Sequence, residues 1–325
     1  MIILHRVICG ILLAGCLGQS EGIAQTGTNY RADMVNFVLA LANHARVTDS
    51  GFGIFPQNAA ALGVFAHYVA TVDGLGQEDL YFGYNKAGKA TPPDVTHELE
   101  TQLAVFRDAG KLVLTIDYPF TNKKKPRFDA KTVTRINTAY AASQARGFVP
   151  YASVLELNAL VVNPGHVPHT NVPAITSWSQ VQEFAYQLQP AKKQTRENFL
   201  AALGQSQFDL IVMDYSFDGS EAEAFTPAEI AALKSQLHGK LLAYLSIGQA
   251  EDYRWYWQTG WKNSPPVWLE RQDPNWQGNY YVRYWHPEWQ AIIRAYLDKI
   301  IAQGFDGVYL DLVDSYERYE TSAVP

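Results

Sequence analysis

Residues 287–311 read PEWQAIIRAYLDKIIAQGFDGVYLD: a helix, a stop and a strand in one run. Ile292, Ile293, Tyr296, Leu297, Ile300 and Ile301 recur at helical spacing and give residues 287–303 one apolar side. Pro287 suits a first turn, where its missing N–H costs nothing, and Gly304 suits the left-handed residue that closes a helix. Residues 305–311 then form a short apolar strand ending in a carboxylate, Asp311. A helix feeding a strand that is apolar on both faces is the repeating unit of a parallel α/β sheet.

The same rhythm extends towards the N-terminus. Runs at 53–58 (GIFPQN), 68–73 (YVATVD), 111–117 (KLVLTID), 147–152 (GFVPYA), 183–189 (EFAYQLQ), 208–214 (FDLIVMD) and 240–247 (KLLAYLSI) read as strands, which with 305–311 makes eight. Helices are expected at 94–109 and 129–146, closing on Gly110 and Gly147, and from Thr226, where Pro227 and Glu229 complete a capping box. Eight such units predict an α/β fold of one closed (β/α)8 TIM barrel over residues 25–325. Only fourteen residues follow Asp311, too few for a full helix and a return. An amphipathic helix at 30–46, with Val35, Val38, Ala42 and Ala45 on one face, is expected to fill that gap and bring the termini together.

Residues 1–24 read as an export signal: Arg6, then an apolar run over 7–17, shorter than the roughly 20 residues a bilayer core needs. Leu13, Ala14, Gly15 and Cys16 resemble a lipobox, which would attach lipid to Cys16 and make an outer-membrane lipoprotein. Cleavage after Ala24, giving a periplasmic or secreted protein, is the other reading. Both cysteines, Cys9 and Cys16, lie in this segment, so the remainder has no disulfide and no thiolate metal site. A net charge of −6 and a pI near 5.8 argue against a nucleic-acid-binding protein. Cofactor signals are weak: Gly74 and Gly76 lack a third glycine, Ser246 lacks a nucleophile elbow, and His166 and His169 sit among prolines without further ligands. Lys123, Lys124 and Lys125 read as a solvated loop. A monomer with no cofactor and no metal is expected.

In such a barrel, chemistry sits on the loops that follow the strands. There the sequence offers Asn58, Asp73, Glu78, Asp79, Asp117, Asp214, Glu251, Asp252, Asp311 and Asp314, an acidic ring expected to converge on one pocket. Two carboxylates on one rim are what glycosidic cleavage needs, one to protonate the leaving oxygen and one to attack the sugar or activate water. The longest connection, 248–286, holds Trp255, Trp257, Trp261, Trp268, Trp276 and Trp285, and with Trp289 these are seven of the eight tryptophans. It is expected to lie over the C-terminal face, with most rings packed on each other and one or two stacked on sugar.

The segments 241–257 (LLAYLSIGQAEDYRWYW), 278–290 (GNYYVRYWHPEWQ) and 304–317 (GFDGVYLDLVDSYE), in this order, resemble glycoside hydrolase family 114, the endo-α-1,4-polygalactosaminidase-like barrels. Segments 54–58 (IFPQN), 72–82 (VDGLGQEDLYF) and 111–118 (KLVLTIDY) resemble parts that in typical members follow the GFDGVYLD strand. The resemblance therefore implies a circular permutation, which adjacent termini make cheap. It also implies that Asp311 and Glu78 are the catalytic pair of a retaining mechanism, with Asp311 as nucleophile and Glu78 as acid/base, or the reverse. Asn58, Asp79, Asp117, Tyr118, Asp214, Gln249, Glu251, Arg254, Trp257 and Asp314 are then expected to bind substrate. Relatives commonly read SIGEAEDYR; Gln249 here keeps an acceptor oxygen but loses the charge. The implied activity is hydrolysis of an α-linked, polygalactosamine-like amino-sugar polysaccharide. A barrel hydrolase for another glycan and a catalytically silent sugar-binding lipoprotein are the rival readings.

Overall fold

The computed structural model describes residues 29–170 and 173–322, so the export segment with Cys9 and Cys16 lies outside the described residues. Helix α1 (Tyr30–Thr48) leads to strand β1 (Gly53–Pro56), a short helix α2 (Ala66–Thr71), β2 (Gly74–Glu78), α3 (Pro93–Asp108), β3 (Leu112–Asp117), α4 (Ala130–Ala145) and β4 (Val149–Ala152). Next come β5 (Phe184–Tyr186), α5 (Arg196–Gly204), β6 (Leu210–Met213), α6 (Pro227–Gln236) and β7 (Lys240–Ser246). Strands β8 (Gln249–Glu251), β9 (Leu269–Gln272) and β10 (Asn279–Val282) precede α7 (Pro287–Gln303), β11 (Gly307–Asp311) and α8 (Tyr316–Ser322). No helix among the described residues is long and apolar enough to cross a membrane.

The helices form where their punctuation places them. At α6 the Glu229 amide donates to Thr226 Oγ1 at 3.2 Å and the Thr226 amide donates to Glu229 Oε2 at 2.7 Å, so each residue satisfies an amide that a helix start leaves open. At α4 the Thr132 amide donates to Asp129 Oδ1 at 2.9 Å. Helix α7 buries Trp289, Ile293, Tyr296, Leu297 and Ile300 and ends at Gly304, whose φ is 91°. Each large apolar side chain so buried contributes about 1.5–3 kcal/mol, which is what fixes α7 against the strands.

Parallel strands follow the order β1-β11-β7-β6-β5 in one sheet and β2-β3-β4 in another, giving a mixed α/β fold. A parallel bridge between Gln57 and Gly76, with the Asn58 amide donating to Gly76 O at 2.8 Å, sets β1 beside β2. No ladder joins β4 to β5 among the described residues. Helix α1 packs on α7 and α8, with Arg31 paired to Glu320 at 2.8 Å and the Tyr30 and Tyr319 rings 5.3 Å apart.

Seven of the eight expected strands are found; residues 68–73 are not one of them. Residues 66–71 form α2, because Tyr68, Val69 and Val72 are buried together at helical spacing. The strand is the following GLGQE, whose sequence hides it. A Cβ at Gly74 would lie 2.2 Å from the Phe55 ring and one at Gly76 1.7 Å from the Tyr309 hydroxyl, so the aromatic neighbours exclude the residues that usually mark a strand. Asp73 consequently leaves the acidic ring. It stands before β2, where its Oδ2 accepts from the Ile54 amide and from Arg46, both at 2.8 Å.

The long connection after β7 also differs from a bare loop. It carries an antiparallel sheet in the order β8-β10-β9. Trp257, Trp261, Trp268 and Trp289 form a chain of ring contacts at 5.3, 5.0 and 5.0 Å, so the tryptophans hold this sheet to α7.

Candidate active site

Three strand ends meet at one place. Gln57 follows β1, Glu78 ends β2 and Asp311 ends β11, and β11, β1 and β2 are neighbours in that order. The residue after each is left-handed: Asn58 at φ 57°, Asp79 at φ 55° and Leu312 at φ 58°. Asn and Asp tolerate this region, but Leu312 carries a penalty of about 1–2 kcal/mol. These turns swing the chain away while the preceding side chain stays aimed inward.

Gln57 Nε2 donates to Glu78 Oε2 at 2.5 Å and to Asp311 Oδ1 at 3.2 Å. Those two oxygens can therefore be no further apart than the two distances laid end to end. The Tyr186 hydroxyl donates to Gln57 Oε1 at 3.2 Å, which fixes the amide with its nitrogen towards the carboxyls. Glu78 Oε2 also accepts from Asn58 Nδ2 at 2.9 Å, and its Oε1 accepts from the Tyr118 hydroxyl. Asp311 Oδ2 accepts from the Tyr244 hydroxyl at 2.8 Å, and its Oδ1 from the Leu312 amide at 2.7 Å.

Both carboxyls are displaced upward. Burial, then the charges of Asp79 and Asp311, push Glu78 to about 8 against the pull of its hydrogen bonds from Tyr118 and Asn58. Burial pushes Asp311 to about 7, opposed by the Tyr244 hydroxyl and the Leu312 amide. Near neutral pH Glu78 is thus the better proton donor and Asp311 the better anion. Asp311 is also the more exposed, at 7% against 1%.

Several other expected site residues are occupied elsewhere. Asp117 Oδ1 accepts from the Tyr81 and Phe82 amides at 2.7 and 2.6 Å, so it pins the loop after β2, and burial raises it to about 7. Arg254 donates to both oxygens of Asp214 at 2.9 and 2.8 Å and to Glu251 Oε2 at 2.7 Å, and its guanidinium lies 4.9 Å from the Tyr253 ring centre. This buried cluster clamps β6 to the loop after β7. Gln249 Nε2 donates to Asp273 Oδ2 at 2.9 Å and its Oε1 accepts from Asn279 at 3.2 Å, so it braces β10. Asp252 pairs with Lys262 at 2.8 Å. Trp257 lies half-buried, 4.7 Å from the Tyr280 ring. Asp79 is buried beside Glu78, and Asp314 follows Asp311 by three residues and raises it further.

Gln57, Tyr186 and Tyr244 were absent from the sequence expectations. Period-two counting inward from Phe55 reaches Gln57 rather than Asn58, and that alternation is the signal that finds it. A cavity of about 220 Å³ lies away from this site, lined by Tyr140, His166, His169 and Glu183 near the starts of β4 and β5.

Residues 167–324 match the family model described as Glycoside-hydrolase family GH114. The chain is 52% identical to the uncharacterized protein MJ1477 of Methanocaldococcus jannaschii over 42% of this chain and 37% of that one. The aligned stretches span 37–48% of the curated relatives, under half of their length. Among solved structures, the Aspergillus fumigatus Ega3 complex with galactosamine is 18% identical over 41% of this chain and 44% of that one, with a TM-score of 0.29. The glycoside hydrolase domain of PelA from Pseudomonas aeruginosa is 23% identical over 41% and 46%, also at 0.29.

Proposed function

Since residues 167–324 match the model of glycoside-hydrolase family GH114, we propose that this protein is a retaining glycosidase acting on an α-linked, polygalactosamine-like amino-sugar polysaccharide. The observation that carries the reading is the Gln57 amide donating to both Glu78 and Asp311 at 2.5 and 3.2 Å. That spacing favours the roughly 5–5.5 Å pair of retaining enzymes over the roughly 6.5–9.5 Å that leaves room for an inverting water.

In the first step Asp311 attacks the anomeric carbon. The glycosidic bond breaks, and its oxygen takes the Glu78 proton. In the second, Glu78, now a carboxylate, removes a proton from water. The resulting nucleophile attacks the glycosyl–Asp311 ester, which frees Asp311 and restores protonated Glu78. Gln57 and Tyr244 hold the attacking carboxylate, and Tyr118 and Asn58 hold the donor.

We place this pair on a closed (β/α)8 barrel with adjacent termini, formed as one domain by residues 25–325. The unladdered seam between β4 and β5 is flanked by the Tyr151 and Phe184 rings, 5.5 Å apart, and α1 lies on α8. The family match starts ahead of β5 and runs through β11, which suits a permuted order in which β1–β4 precede it. Export, with lipid on Cys16 or cleavage after Ala24, is proposed on the first residues alone; the mass of the mature N-terminus decides between the two.

The test is a screen of purified protein against defined amino-sugar polymers with mass-spectrometric product analysis and NMR of the first anomer released. Oligosaccharides retaining the α configuration support the reading. An inverted first product overturns the mechanism, and binding without cleavage makes the protein a sugar-binding one.

A further inference from the structure

The connections after β2, β3 and β5, residues 79–92, 118–129 and 187–195, hold eight lysines and arginines against two aspartates, in a chain whose net charge is −6. Of those aspartates, Asp79 is buried and Asp129 caps α4. Lys86, Lys125, Arg127, Lys192 and Lys193 are exposed and Lys123 half-buried, and none of the six forms an ion pair among the described residues. The remaining two, Lys124 and Lys89, have local partners: Glu156 at 3.5 Å and the Tyr84 ring at 5.5 Å.

The backbone ties these loops side by side. The Gly88 amide donates to Tyr118 O at 2.7 Å, the Glu156 amide to Lys123 O at 2.9 Å, and the Leu188 amide to Leu157 O at 2.9 Å. The cations therefore lie on an arc that follows the C-terminal ends of β2 to β5. It starts beside the reaction centre, because Tyr118, at the root of the second loop, donates to Glu78. The next connection round the sheet ends this run of cations: residues 214–226, after β6, carry no lysine or arginine, and their Asp214, Glu221 and Glu223 are paired with Arg254, Lys299 and Arg196.

Exposed charges act together only within a Debye length of about 8–10 Å, which loops bonded side by side favour, and a rim of one sign concentrates ligands of the other. A uniformly cationic polymer would be repelled along this arc. Resting on the glycosidase reading above, we propose that the substrate is an amino-sugar glycan that also carries anionic groups, uronate carboxylates or phosphate esters, and that these lie along the loops after β2, β3 and β5.

The test is affinity electrophoresis of the purified protein in gels containing polygalacturonate, a phosphomannan, neutral dextran or chitosan, beside the variant K123E/K125E/K192E/K193E. Three of the four positions are exposed and Lys123 is half-buried, and an unchanged melting temperature shows that the variant folds. Retardation by polygalacturonate or phosphomannan but not dextran, weakened about tenfold or more in the variant and lost at high salt, is the expected result. The stronger of the two anionic gels identifies the carboxylate or the phosphate source. No retardation in either, or retardation that the variant keeps, overturns the proposal. So does salt-sensitive binding confined to anionic phospholipid vesicles or to nucleic acid. Binding is read without turnover, so a protein that is retarded but cleaves nothing refutes the glycosidase reading and leaves this one standing. One that cleaves a purely cationic polymer without retardation does the reverse.

Discussion

Asp311 and Glu78 are ordinary carboxyl groups given unequal proton affinities by burial, to which Asp79 and Asp311 add at Glu78 and Asp314 at Asp311. With Asp311 ionised and Glu78 protonated in the working form, kcat/KM is expected to rise with pH through about 7 and fall through about 8. A pH–rate profile checks this, and Glu78→Gln removes the falling limb from whatever activity remains. The same shifts act on stability. Burial raises Glu78, Asp117 and Asp311 above their unfolded values, so the folded state keeps protons that the unfolded chain has lost. Stability is full below the ordinary carboxylate range and declines as pH rises through about 7 and 8. Asp117→Asn keeps the acceptor for the Tyr81 and Phe82 amides and deletes the buried charge. Its melting temperature is expected to match the parent near pH 3, below the ordinary aspartate range, and to exceed it increasingly up to pH 8. Legibility at this scale was uneven. A carboxylate at the end of an apolar strand marks Asp311 in the sequence, but Asp117, Asp214 and Glu251 carry the same mark and turn out to hold loops. Only their partners, backbone amides and Arg254, separate anchoring from catalysis.

Elements were legible where their own chemistry specifies them. The capping box of α6 and the apolar stripe of α7 are local facts, and both helices stand where the sequence places them. Strand β2 was not legible, because its glycines answer to Phe55 and Tyr309, which reach it from β1 and β11. Gly76→Ala is expected to cost about 1–3 kcal/mol by driving a methyl group into the Tyr309 ring, measured by urea unfolding; an unaffected midpoint would mean that the ring yields freely. The Arg254 cluster holds the loop after β7 in a comparable way. Arg254→Ala leaves Asp214 and Glu251 buried without their counter-charge and is expected to cost about 3–5 kcal/mol. If the variant unfolds at the parental midpoint, the cluster does not hold the fold.

Buried side chains from Met34 on α1 to Tyr316 on α8 form one contiguous apolar core. A molecule built on one core is expected to unfold in a single transition seen alike by tryptophan fluorescence and far-UV circular dichroism, whereas two separated transitions would argue for two domains. The order of strands was readable from the alternation of helices and strands. The convergence of Glu78 and Asp311 was implied by the family resemblance and by the closure that sets β11 beside β1; Gln57 between them was not readable, since an amide one residue past a strand carries no charge to mark it. That convergence is the centre of the account. The most direct measurement of it is turnover by Asp311→Asn and Glu78→Gln on the best polymer found in the screen. Each is expected to fall about 10²–10⁴-fold while folding as the parent does; a folded variant of either with undiminished turnover would contradict the account.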